Sequence, residues 1–120
     1  VDLDDLKARN KSDGDKAGDK YILQAAKRLE RRRGVDQVFR LHNAGDEFGI
    51  LVLGDSAMRA GKLADLLVAD LKSAGISASI GAACTASLDH QIRASVYDAA
   101  ERAMQSAKAR KGCAVSRVIE

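Results

Sequence analysis

A chain of 120 residues with 46% hydrophobic and 31% charged side chains holds enough apolar surface for one modest core, which excludes a disordered tail and a multidomain enzyme. Twenty basic residues against seventeen acidic ones leave +3, spread along the chain. That excess is too small to mark a nucleic-acid or membrane surface by itself, and a slightly basic phosphate pocket accounts for it.

Cys84 and Cys113 have no CxxC partner and no nearby His pair, so they read as reduced, packed thiols rather than a zinc site or a disulfide. Apolar runs such as 50–53 fall far short of the roughly 20 residues a membrane span needs. The expectation is a cytoplasmic protein with no membrane segment and no nucleic-acid partner.

In chain order, 1–3 reads as the stub of a first strand whose beginning lies upstream. Over 17–33 the apolar positions Ala17, Tyr21, Ile22, Ala25, Ala26 and Leu29 recur at three and four residues, and Gly34 stops the helix after an Arg-rich end that suits its dipole. Strands at 37–42 and 48–53 follow, joined by a polar stretch in which Gly45 supplies a turn, as in a β-hairpin. Asp55 or Ser56 caps a second helix to about 73, with Leu63, Leu67 and Leu71 along one stripe and Gly75 at its end. A strand at 77–83, a helix at 95–110 and a strand at 113–118 complete the order βαββαβαβ. Interleaved helices and a hairpin predict an α/β (α+β) fold, a mixed ferredoxin-like or palm-like sheet with helices packed on it, in one domain over 1–120.

Two acidic groups stand out: Asp2, Asp4 and Asp5 at the chain start, and Asp46 with Glu47 at the hairpin tip. On spacing alone such residues serve as helix caps and turn formers. Brought together from adjacent strands, with no His or Cys beside them, their hard oxygens suit Mg²⁺ or Mn²⁺ better than zinc. Alternation puts Asp2 and Asp4 on one strand face, whereas Asp46 and Glu47 point opposite ways unless the turn twists them. Asp46 is then the expected ligand and Glu47 the outer group.

The chain resembles the GGDEF domain of diguanylate cyclases over nearly its whole length. The matching pieces are DLDDLKARN at 2–10, DGDKAGD at 13–19, AGDEF at 44–48, SIG at 79–81 and AAERAMQSAK at 99–108. The resemblance implies a palm-like core and a reaction that joins two GTP molecules into cyclic di-GMP with release of two pyrophosphates. It also implies two subunits, because each supplies one nucleotide, and an upstream sensory domain in the full protein. Asp2, the Leu3 carbonyl and Asp46 match the Mg²⁺ site, with Glu47 a metal neighbour or the group that deprotonates the attacking hydroxyl.

Asn10 and Asp19 match the guanine contacts of the family. A carboxylate accepts from guanine N1–H and its exocyclic amine, donors that adenine does not present in that arrangement, so Asp19 favours GTP over ATP. Asp19 also reads as the N-cap of the first long helix. Leu6 and Lys7 match the backbone approach to the β- and γ-phosphates, and Lys108, Arg110 and Lys111 the basic residues that grip the triphosphate. Arg33 and Asp36 form an RxxD pair similar to the family's product-inhibition site, where Arg forks to guanine or phosphate.

Three positions depart from the family pattern. Ala44 replaces the first Gly of the signature. His42 stands where an Arg is usual, with Arg40 two residues back, which reads as a hairpin lengthened by one strand period. Gln105 replaces a Tyr, and the AKxxG spacing has become Ala107-Lys108-Ala109-Arg110-Lys111-Gly112. These departures leave a second reading beside the active cyclase: a degenerate, noncatalytic module that binds GTP or cyclic di-GMP as a sensor or scaffold.

Overall fold

The computed structural model describes residues 1–4, 14–32, 35, 37–41, 46–53 and 57–119. Its elements run β1 (Asp2–Leu3), α1 (Asp15–Arg31), β2 (Gln37–Arg40), β3 (Phe48–Leu51), α2 (Ala57–Ser73), β4 (Ala78–Cys84), α3 (His90–Ala94), α4 (Val96–Lys108) and β5 (Ala114–Val118). The expected order holds, with one addition. The short α3 has too few residues to carry a period, and its local signal is Asp89, whose Oδ1 accepts from the N–H groups of Gln91 at 2.9 Å and Ile92 at 3.1 Å.

Two other expectations are corrected. Asp19 is not the cap of α1: the helix starts four residues earlier, and its N-cap is Gly14 at φ 88° with no side-chain cap bond. The hairpin strands end two residues sooner than the apolar pattern suggested, at Arg40 and Leu51. The caps expected at Asp55 and Ser56 and the turn at 43–45 lie outside the described residues.

The sheet is mixed. β1 pairs antiparallel with β4, placing Asp2 opposite Ser79 and Leu3 opposite Ala78, and β4 pairs in parallel with β5 from Ile80↔Ala114 to Cys84↔Val118. β2 and β3 form the hairpin, with Phe39 opposite Gly49. An antiparallel bridge between Asp2 and Glu47 joins the hairpin to β1, flanked by Leu3 N–H to the Asp46 carbonyl at 3.1 Å and Phe48 N–H to the Val1 carbonyl at 2.8 Å. β1 therefore lies between the hairpin and β4.

Alternation along β1 and β4 sorts the side chains onto two faces. Leu3, Ala78 and Ile80 enter an aliphatic core with Phe48, with Tyr21, Ile22, Ala25 and Leu29 of α1, and with Ala64, Leu67 and Leu71 of α2. The three- and four-residue spacing of those helical positions is what makes α1 and α2 amphipathic. Asp2, Ser79 and Gly81 belong to the opposite face, which α4 covers. There Ala99, Ala103, Met104 and Ala107 are buried, and a Cβ on Gly81 would overlap the Ala100 carbonyl and the Met104 backbone nitrogen. The Gly81 of the SIG piece thus permits helix and strand to approach backbone to backbone.

Past Val1, the facing edges of β3 and β4 border a cavity of about 490 Å³, lined by Ile50, Val52, Leu63, Ala82, Val96 and Met104 among others. No helix among the described residues is long and apolar enough to cross a membrane.

Candidate functional site

Asp2 is the centre of the site. It occupies the middle of the sheet, paired with Ser79 on one side and bridged to Glu47 on the other, and only 2% of its surface is exposed. Lys108, the last residue of α4, donates from Nζ to Asp2 Oδ2. Among the described residues Asp2 Oδ1 is buried with no hydrogen-bond partner. A buried carboxylate oxygen without a donor is costly, and such atoms call for a cation or another donor.

Asp46 and Glu47 stand close enough to Asp2 to act on its charge. Burial raises the Asp2 carboxyl above the ordinary carboxylate range, the Lys108 hydrogen bond opposes that, and the negative Asp46 adds to it. Burial likewise raises Glu47, with the Asp2 charge reinforcing the shift and Lys108 opposing it. The hydrogen bond to Asp2 is the main cause that raises Lys108 in turn. Both hairpin-tip acids therefore share the neighbourhood of Asp2. The three carboxylates repel one another, and the Lys108 ammonium and the Val1 N-terminal ammonium offset that repulsion.

The hydrogen-bonding geometry divides the opening acids. Asp2 and Asp4 share a face, as alternation requires, but Asp4 is fully engaged: its Oδ2 accepts from Ser77 Oγ at 2.6 Å and Gly112 N–H at 2.9 Å, and its Oδ1 from Ser79 Oγ at 2.7 Å. Asp4 is thus part of the scaffold, a role that its place in an acidic run did not reveal. Leu3 contributes backbone to the site and buries its side chain in the core.

A hard divalent cation fits this donor set by chemistry. Among the described residues the set offers carboxylate oxygens without His or Cys, one buried oxygen lacks a partner, and a Lys ammonium already sits on the other. Among the described residues, however, no three acidic, His or Cys side chains are grouped so as to hold one ion together.

Asp19 is exposed on the second turn of α1. Arg110 and Lys111 are exposed in the turn after α4, where both backbone N–H groups reach the Ala107 carbonyl and Lys111 adopts φ 51°. Leu6, Lys7, Asn10, Arg33 and Asp36, like His42 and Ala44, lie outside the described residues. Cys84 and Cys113 are free and partly buried.

The model of the family described as "Diguanylate cyclase, GGDEF domain" matches residues 1–113 of the chain. Neither a curated protein nor a solved structure matches it significantly.

Proposed function

The chain belongs to the GGDEF domain family of diguanylate cyclases, and we propose that it condenses two GTP molecules into cyclic di-GMP with release of two pyrophosphates. The observation that carries this reading is the buried Asp2, with one oxygen unpartnered among the described residues, Asp46 and Glu47 beside it and Lys108 against it.

Asp2, Asp46 and the Leu3 carbonyl would hold Mg²⁺ or Mn²⁺, with Glu47 next to them. When bound, such an ion neutralises triphosphate charge and acidifies a hydroxyl in contact with it. Glu47 serves as proton acceptor for the 3′-hydroxyl of the nucleotide that attacks. Its raised proton affinity suits that task, because a base works best when its pKa approaches the working pH. Lys108 places a positive charge at the end of α4 for the triphosphate, joined by Arg110 and Lys111, while Leu6 and Lys7 approach the β- and γ-phosphates. Asn10 and Asp19 read the guanine edge. Each site presents one GTP, so the reaction needs a second copy of the chain facing the first, and in-line attack follows once the two α-phosphates meet. Arg33 and Asp36 bind the product as an inhibitory pair.

The test is incubation of the purified protein with GTP and Mg²⁺ and detection of cyclic di-GMP by mass. Product that disappears with Asp46→Ala supports the proposal; no product at any protein concentration ends it. A noncatalytic GTP- or cyclic di-GMP-binding module is the second reading, favoured by the lack of a three-ligand acidic group among the described residues. GTP binding by calorimetry without turnover selects it.

A further inference from the structure

Asp4 is a buried carboxyl group that the proposed chemistry leaves unused. It is 6% exposed, and among the described residues its three donors are neutral: Ser77 Oγ, Ser79 Oγ and Gly112 N–H. Two of these donors come from the β4 end of the sheet, and the third comes from the far side of the turn that follows α4. In that turn Ala107, itself fully buried, accepts from Arg110 N–H, Lys111 N–H and Cys113 Sγ. Lys111 and Gly112 both adopt positive φ, 51° and 60°, a backbone path that leaves the Gly112 N–H aimed at the carboxylate.

Lys108 lies between these two fixed points. Its backbone is held by Ala107 before it and by the Gly112 latch after it, and its Nζ meets Asp2. Asp4 directly follows β1, two residues beyond Asp2 and on the same side, a spacing of about 7 Å for extended chain. The short segment 2–4 therefore presents one carboxylate to the Lys108 ammonium and a second to the turn that follows Lys108.

We propose that Asp4 is a positioning residue: its carboxylate latches the turn after α4 through Gly112 and so holds Lys108 over Asp2. The value of that placement for triphosphate binding rests on the cyclase reading; the latch itself does not. The Gly112 donor is a backbone N–H and cannot be reversed, whereas the serine hydroxyls rotate to donate or accept. An amide in place of the carboxylate thus keeps the latch by turning its oxygen to Gly112 and its NH₂ to Ser79.

The test is trace acetylation of the intact protein, with Lys108 modification read by mass spectrometry against the exposed Lys27 and Lys62. In Asp4→Ala, Lys108 is expected to react about 5-fold faster than in the wild type, as an ion pair of ordinary strength is released. Asp4→Asn restores the slow rate. Leu71→Ala, which loosens the opposite face, leaves the Lys108 ratio within about 2-fold of wild type because it breaks none of these contacts. Should Asp4→Ala not fold, Asp4→Ser keeps a polar atom at the site but falls short of Gly112, and it is expected to match the fast rate. Equal Lys108 ratios in wild type and the Ala or Ser variant overturn the proposal, as does an equal rise in Leu71→Ala. Labelling needs no turnover, so its outcome is separate from whether cyclic di-GMP is made.

Discussion

On one face of the sheet Leu3, Leu29, Leu71 and Ile80, each 3% exposed or less, are packed among α1 and α2. On the other face β4 meets α4 through Gly81, Ser79 and a row of alanines, and the buried groups there include two aspartates. The aliphatic face removes large side chains from water and supplies the stability. The α4 face buries little hydrocarbon per residue, yet it brings polar groups close: Lys108 to Asp2, and Gly112 to Asp4. A site that holds a buried carboxylate oxygen with no donor among the described residues draws on stability made elsewhere in the molecule. In this domain that source lies one strand thickness away.

If the division is real, substitutions on the two faces separate activity from stability. The largest effect is expected at Asp2. Asp2→Asn lowers cyclic di-GMP formation by about 1,000-fold, in line with removal of a central electrostatic group from an active site. The same variant raises the thermal midpoint at neutral pH. In the wild type the folded state binds the Asp2 proton more tightly than the unfolded chain does. That contribution is fully present below the unfolded value, near pH 4, and is lost as pH rises through the folded value. The stability gap between variant and wild type therefore opens across the acidic range and closes below about pH 4. A lower midpoint for Asp2→Asn at pH 7 would remove the contrast between the faces.

Leu71→Ala is the converse. It costs about 3 kcal/mol of unfolding free energy by denaturant titration, as expected for a fully buried leucine, with turnover per folded molecule retained. Gly81→Ala is smaller in volume but meets backbone on α4; it costs about 1–3 kcal/mol through overpacking and lowers activity by shifting Lys108. Equal activity in Gly81→Ala would show that α4 can retreat without moving the site. At the surface, Arg28 meets Asp70 at 3.4 Å between α1 and α2, and Arg28→Ala is expected to change stability by about 0.5 kcal/mol or less.

The aliphatic face was largely legible in the sequence. Tyr21, Ile22, Ala25 and Leu29 on α1 and Leu67 and Leu71 on α2 follow helical spacing, so hydrophobic period alone located the residues that are buried. Alternation also placed Asp2 and Asp4 together. It did not separate their roles, because what distinguishes them is the hydroxyls of Ser77 and Ser79 and the backbone of Gly112, which are remote in sequence. The joint approach of Asp46 and Glu47 to Asp2 escaped a strict alternation argument, since Asp46 lies in the turn and only Glu47 makes the bridge. The start of α1 is not legible in the sequence because Gly14 caps it without a side chain, leaving no capping signal to read.

The alanines of α4 have one more effect. Ala99, Ala103 and Ala107 have no rotamers, so seating these three positions against β4 freezes no side-chain freedom. Along that row the depth at which the helix rests is dictated by main-chain shape, since methyl groups cannot repack to absorb an error. Any drift of the helix travels undamped to its final residue, which makes the alanine row a gauge for where the terminal ammonium comes to lie.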